Sequence, residues 1–209
     1  MARYTDAVCK KCRREGIKLF LKGERCSSSK CAFERRPFAP GQHGKGRSKL
    51  SEYGLQLRAK QRTKVYYRVS ESQFRKYYDE AFRRTGITSD TLFEQLEMRL
   101  DNVAYRIGLG MSRAESRQLV GYGMLQVNGK NVNIPSYLVK VGDIVTVRDT
   151  KKSNKAVVNV LENNKAKVIP SWIELNKEKF EAKILRKPVR EDSDIEVAEN
   201  LIVELYSKN

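Results

Sequence analysis

Apolar residues recur at every third or fourth position through most of residues 50–100. Ser51 is placed to cap a helix running to about Tyr67, in which Tyr53 and Leu57 mark the apolar side and Arg58, Lys60, Arg62 and Lys64 spread over the rest. SESQFRKYYDEAFRRTG opens with a Ser70–Gln73 capping box and sets Phe74, Tyr77, Tyr78, Ala81 and Phe82 at helical spacing, with Gly86 at the position of a C-terminal cap. That aromatic stripe reads as core. Thr91 and Glu94 supply another capping box ahead of LFEQLEMRL, so the whole stretch predicts helices.

The period changes after Gly110. SRAESRQLVGYG carries a capping box at Ser112 and Glu115, and its 3.6-residue period turns Ser116, Leu119 and Val120 inward. Arg113 and Arg117, four apart, are then expected to share an outer edge and to address a phosphate backbone together. In MLQVNGKNVN, Asn128-Gly129 between two short apolar runs signals a hairpin with a primed turn, and KVGDIVTVRD adds a further turn and strand. Helices followed by a small antiparallel sheet make an α+β unit. Residues 151–170 read as a polar connector with a short helix, while WIELNKEKFEAKILRKP and ENLIVELY are β-prone runs.

Charge gives this pattern a direction. The 209-residue chain has a formal net charge of +17, and residues 1–86 hold 23 Lys/Arg against 8 Asp/Glu, whereas residues 87–150 balance at 7 against 7. An excess this concentrated repels itself unless a polyanion neutralises it, and folded nucleic acid supplies dense phosphate. ERRPFAPGQHGKGRSKLSEYG, broken by Pro37, Pro40, Gly41, Gly44 and Gly46, reads as an extended basic strap bearing Arg35, Arg36, Lys45, Arg47 and Lys49. The amino terminus lacks the apolar run of a signal peptide, and no segment approaches the roughly 18 apolar residues of a membrane span, so a soluble intracellular chain is expected.

All four cysteines lie in CKKCRREGIKLFLKGERCSSSKC: Cys9 and Cys12, then thirteen residues, then Cys26 and Cys31. In a reducing compartment, two short-spaced pairs joined by such a loop suit four thiolates around one zinc ion, with an iron–sulfur cluster as the alternative. Disulfides or inert buried thiols are the plainer reading. Lys10, Lys11, Arg13 and Arg14 are expected to lower the thiol pKa values. A closed shell of four protein ligands leaves no place for substrate, which makes the metal structural.

RLDNVAYRIGLGMSRAESRQLVGYGMLQVNGKNVNIPSYLVKVGDIVTV resembles the small RNA-binding module named after bacterial small-subunit ribosomal protein number four. The flanking CxxC segment, PGQHG with SEYGLQLRAKQ, SESQFRKYY and ENLIVELYSKN extend the likeness over essentially the whole chain, to the four-cysteine branch of that ribosomal family. The resemblance implies a cytoplasmic structural constituent of the small subunit. Such a protein binds rRNA early at a helix junction of the five-prime domain, nucleates assembly of the subunit body and influences decoding accuracy. Implied neighbours are proteins three, five and twelve, and mRNA near its entrance path, close to Lys45, Arg47 and Lys49. Some members repress their own message, of which these residues give no separate sign. The RNA-contacting set expected here is Arg13, Arg14, Arg35, Arg36, Lys45, Arg47, Lys49, Arg58, Arg62, Arg113 and Arg117.

The organisation expected from these readings is a metal-binding segment and basic loop over 1–45, a helical domain over 46–98 completed by about 186–209, and an RNA-binding module over 99–165. The strands of 166–209 are expected to pack back on the helical domain. Two rivals use the same module. Arg99-Leu100-Asp101 matches a triplet that supplies the catalytic aspartate of pseudouridine synthases, yet here Asp101 is placed to cap a helix beginning at Asn102, and neither a nucleotide motif nor an acid, base and nucleophile set is present. A zinc-containing DNA-binding regulator would want a recognition helix and a dimer interface, and neither is evident. No enzyme activity, small-molecule substrate or membrane partner is expected.

Overall fold

The computed structural model describes residues 4–46, 49–152, 154, 157–160, 164, 167–176, 180–194 and 198–208. The chain divides into two compact units, residues 1–92 with 195–209, and residues 93–194.

The first unit is helical: α1 (Cys9–Glu15), α2 (Ala32–Arg35), α3 (Glu52–Tyr66), α4 (Glu71–Arg83) and the C-terminal helix α8 (Glu199–Ser207). Ser51 Oγ accepts from the Gly54 amide at 3.2 Å and Ser70 Oγ from the Gln73 amide at 3.4 Å, so both helices start at their serine caps. The buried side of α3 is Gln56, Ala59, Thr63 and Tyr66, whereas Tyr53 is 59% exposed. This face is partly polar because its donors find partners: Gln56 Nε2 donates to Glu204 at 2.9 Å and Thr63 Oγ1 to the Ala59 carbonyl at 3.0 Å. Helix α4 buries Phe74, Tyr77, Tyr78 and Ala81, but Phe82 stands out in solvent.

ENLIVELY is a helix rather than a strand. Ile202 and Leu205, three apart, are buried in α8, and Tyr206 stacks on Tyr78 with centroids 4.6 Å apart and on Phe74 at 6.4 Å. A three-residue apolar spacing that meets a partner on α3 outweighs the β propensity of its individual residues.

Helix α5 (Thr88–Glu97) begins three residues before the expected cap, and Thr91 instead donates its hydroxyl to the Ile87 carbonyl at 3.2 Å. In the second unit, α6 (Leu100–Arg106) and α7 (Arg113–Gly121) cover a five-stranded antiparallel sheet. Its strands are β1 (Leu125–Val127), β2 (Lys130–Val132), β3 (Ile144–Val147), β4 (Ile173–Asn176) and β5 (Glu181–Ile184), in the order β2-β1-β3-β5-β4. Asn128 and Gly129 have φ of 50° and 76°, both positive as a primed turn requires, and join β1 to β2.

Strands β4 and β5 extend the module's own sheet instead of packing back on the helical region. Val145 pairs with Ala182 and Ile144 with Lys183, so the β4–β5 hairpin covers the edge that β3 would otherwise expose. Trp172, Ile173, Ala182 and Ile184 enter one apolar cluster with Leu100, Val103, Val120, Leu125 and Val145. The second unit therefore reaches residue 194, beyond the 99–165 expected.

Glu71 is the acid-sensitive point of the first unit. It accepts from Lys60 at 2.7 Å, Lys64 at 2.8 Å and the Tyr206 hydroxyl at 3.0 Å. Partial burial opposes its ionisation, but these donors prevail and hold its pKa down at about 2 from 4.5. With the folded value depressed, the stabilisation is fully present above about 4.5 and is lost as pH falls through about 2. Unfolding free energy titrated across that window is expected to fall with a slope that Glu71→Gln flattens; an unchanged acid profile in the variant contradicts the assignment.

Candidate nucleic-acid interface

Arg99, Arg106, Arg113 and Arg117 of the second unit are turned inward. Glu97, fully buried, accepts Arg106 Nε at 3.0 Å and Nη2 at 2.8 Å, and Asn102 Nδ2 at 2.7 Å. Asn102 Oδ1 in turn accepts Arg113 Nε at 2.8 Å, and the Arg113 guanidinium lies 4.3 Å over the Tyr105 ring. Asp101 takes Arg99 Nε at 3.0 Å and Nη2 at 2.7 Å, and Arg117 Nη1 at 2.7 Å. Arg106 also pairs with Asp194, whose pKa burial works to raise but the Arg106 contact brings below the usual range.

Two expectations are corrected here. Arg113 is 7% exposed, so it shares the inner face of α7 with Ser116 and Val120, and Arg117 is half-buried in an ion pair. Asp101 does not cap a helix: α6 starts at Leu100 with no side-chain cap, and the carboxylate serves two arginines. The outward residues here are Gln118 of α7 and Tyr122 just past its end, hydrogen-bonded at 2.6 Å and missed by a search for basic residues.

The first unit has the opposite character. Arg14, Arg36 and Lys49 are exposed and hold no carboxylate among the described residues; Arg35 is exposed and donates to the Ser29 carbonyl at 3.2 Å. Arg13 donates to the Phe38 carbonyl at 3.0 Å, and both Arg13 and Lys45 sit over the Phe38 ring, at 5.3 and 5.2 Å. The strap thus has internal order. A Cβ on Gly44 would fall 1.8 Å from the Ala39 carbonyl oxygen, a clash that only glycine avoids. Arg47 lies outside the described residues. Arg58 is tied to Glu15 at 3.0 Å, and Arg62 is half-buried beside it on α3.

Cys9, Cys12, Cys26 and Cys31 all line one small cavity with Leu19, Lys22 and Phe33, and none is in a disulfide. The Lys22 amide donates to Cys26 Sγ at 3.4 Å. Burial raises the pKa values of Cys12 and Cys26, and the neighbouring thiols push the same way, so the adjacent lysines and arginines do not lower them as expected. As the side chains stand, no group of three or more His, Cys, Asp or Glu among the described residues is arranged to hold a metal ion.

One unit whose arginines are neutralised internally and another whose cations face outward are the features of a nucleic-acid-binding chain. Residues 3–97 match the family model for the ribosomal protein S4/S9 N-terminal domain, and residues 98–145 match the S4 domain. The small ribosomal subunit protein uS4 of Ruminiclostridium cellulolyticum and the uS4A of Alkaliphilus oremlandii are each 58% identical over 208 residues, covering 100% of both chains. That of Acetivibrio thermocellus is 54% identical with the same coverage. The chain belongs to the small ribosomal subunit protein uS4 family, whose members are structural and not enzymatic.

Glu97→Ala is expected to cost about 3 kcal/mol, because it removes the bidentate carboxylate from the buried Arg106 guanidinium and leaves the Asp194 pairing to offset its burial. Urea unfolding followed by the fluorescence of Trp172, fully buried in this unit, measures it. A loss below about 1 kcal/mol would rank the pair with surface ion pairs.

Proposed function

We propose that the chain docks on folded rRNA through the exposed cations of its first unit, while the second unit sets orientation. The chain is a structural constituent of the small ribosomal subunit, and its S4 domain makes it an rRNA-binding one. One observation carries the division of labour: Arg14, Arg36 and Lys49 hold no carboxylate among the described residues, whereas Arg99, Arg106 and Arg117 are all ion-paired within the fold. Cations already paired inside release few counterions on binding; free ones release one for nearly every phosphate met.

Early binding to several helices of the five-prime domain, and through it nucleation of the subunit body, follows from the same charge. A concentrated polycation is most strongly stabilised by RNA that presents many phosphates together. Lys45 and Lys49 support a place near the mRNA entrance path, since both are exposed on the strap that Phe38 anchors. Influence on decoding accuracy and contact with proteins three, five and twelve belong to this reading.

A zinc ion held by Cys9, Cys12, Cys26 and Cys31 is part of the proposal. Four free thiols around one cavity, with an amide already donating to a sulfur, suit the donor set such an ion takes. Its chemistry there is structural: it would keep the thiols deprotonated and cross-link the segment from α1 to the start of α2.

Two measurements test this. Arg14→Glu, Arg36→Glu and Lys49→Glu are each expected to weaken binding to a five-prime-domain transcript and to lower the slope of log affinity against log salt by roughly one, while Arg113→Ala leaves that slope unchanged. Equal slopes for all four variants would remove the division between the units. Metal analysis of the purified chain is expected to find one zinc per molecule, with loss of helical signal on chelation; iron with inorganic sulfide would assign a cluster instead, and a folded metal-free chain would remove the metal.

A further inference from the structure

Glu15 is the last residue of α1, and its carboxylate is 3% exposed in the most cationic part of the molecule. A carboxylate at a helix C-terminus faces the negative end of the dipole, so its position needs cations to hold it. Arg58 Nη1 supplies one hydrogen bond to Oε1 at 3.0 Å. The other oxygen, Oε2, is buried without a hydrogen-bond partner, and so is Arg62 Nε, one turn along α3 from Arg58. Arg14 is exposed beside Glu15, and Lys11 precedes it by one helical turn. Burial raises the Glu15 pKa, while Arg58, Arg62, Arg14 and Lys11, in that order, work to lower it; all four cations therefore act on one carboxylate.

We propose that Glu15 is the positioning residue of a phosphate clamp, in which Arg14, Arg58 and Arg62 converge on a single phosphate of the RNA backbone. One buried negative charge cannot neutralise four positive ones, so the cluster retains a strong local excess. The carboxylate binds one edge of the Arg58 guanidinium and leaves the remainder of that side chain, 25% exposed, fixed in direction. Arginine presents donors on more than one edge of its planar fork, which lets a single guanidinium bind a carboxylate inside and a phosphate outside. Arg62, one turn along α3 from Arg58 and acting on the same carboxylate, brings a second guanidinium to the cluster. This inference rests on the rRNA-docking reading and adds that an acid, not a base, organises the contact.

The sign of one substitution decides it. Glu15→Gln keeps the shape and adds one positive charge. Affinity governed by charge alone predicts equal or tighter binding with an equal or steeper salt slope. The clamp predicts the reverse: roughly tenfold weaker binding to the five-prime-domain transcript and a slope lower by roughly one. Thermal unfolding and circular dichroism of the free chain confirm that the variant is folded. Should Glu15→Gln fail to fold, Glu15→Asp preserves charge while shortening the reach; weaker binding supports the clamp and unchanged binding overturns it. Wild-type protein that ignores the transcript at low salt would overturn the docking reading itself, whereas salt-dependent wild-type binding with an unaffected Glu15→Gln overturns only the clamp.

Discussion

Carboxylates are the scarce partner in this chain, 25 Asp and Glu against 42 Lys and Arg, and where they are buried decides which cations build the fold and which face outward. Each well-placed acid serves several donors. Asp101 binds Arg99 and Arg117, Glu97 binds Arg106 and Asn102, and Glu71 binds Lys60, Lys64 and Tyr206. Buried charges are tolerable only where paired and hydrogen-bonded, so Asp101 and Glu97 fix the facing sides of α6 and α7, while the more exposed Glu71 ties α3, α4 and α8 through its three donors. The cations left over are concentrated in the first 50 residues, where 14 Lys and Arg meet only 4 Asp and Glu.

The two units consequently treat arginine in opposite ways. In the second, the guanidinium groups of Arg99, Arg106, Arg113 and Arg117 are interior cross-links beside an apolar cluster that the β4–β5 hairpin completes. In the first, the core is assembled from aromatic rings, thiols and short polar contacts, and most basic side chains remain at the surface. A polyanion meeting such a molecule finds exposed charge on one unit and a charge-neutralised shape on the other, a combination that suits tight attraction together with defined register.

Local signals were the legible ones. The serine caps of α3, α4 and α7, the Asn128–Gly129 turn, the inward Ser116, Leu119 and Val120 and the buried stripe of α4 all depend on neighbours within a few residues. What sequence reading missed depended on distant partners. Arg113 looks like a surface residue until Asn102, eleven positions earlier, is known to face it. Asp101 looks like a cap until Arg117 reaches it from α7. ENLIVELY looks like a strand until α3 provides a groove for Ile202 and Leu205, and the β4–β5 hairpin has no visible home until β3 offers an edge. Arg58 was expected to face phosphate freely, and the acid that holds it lies 43 residues away.

The first unit is discontinuous, drawn from residues on both sides of the second. During synthesis the chain emerges in order, so residues 93–194 are free to fold before α8 has been made, whereas the contacts that α3 and α4 make with α8 must wait for it. Until then the slot between Phe74 and Tyr78 that Tyr206 fills stands open and Gln56 lacks Glu204. The nascent protein therefore matures from its interior outward, and the RNA-gripping half is the part finished later.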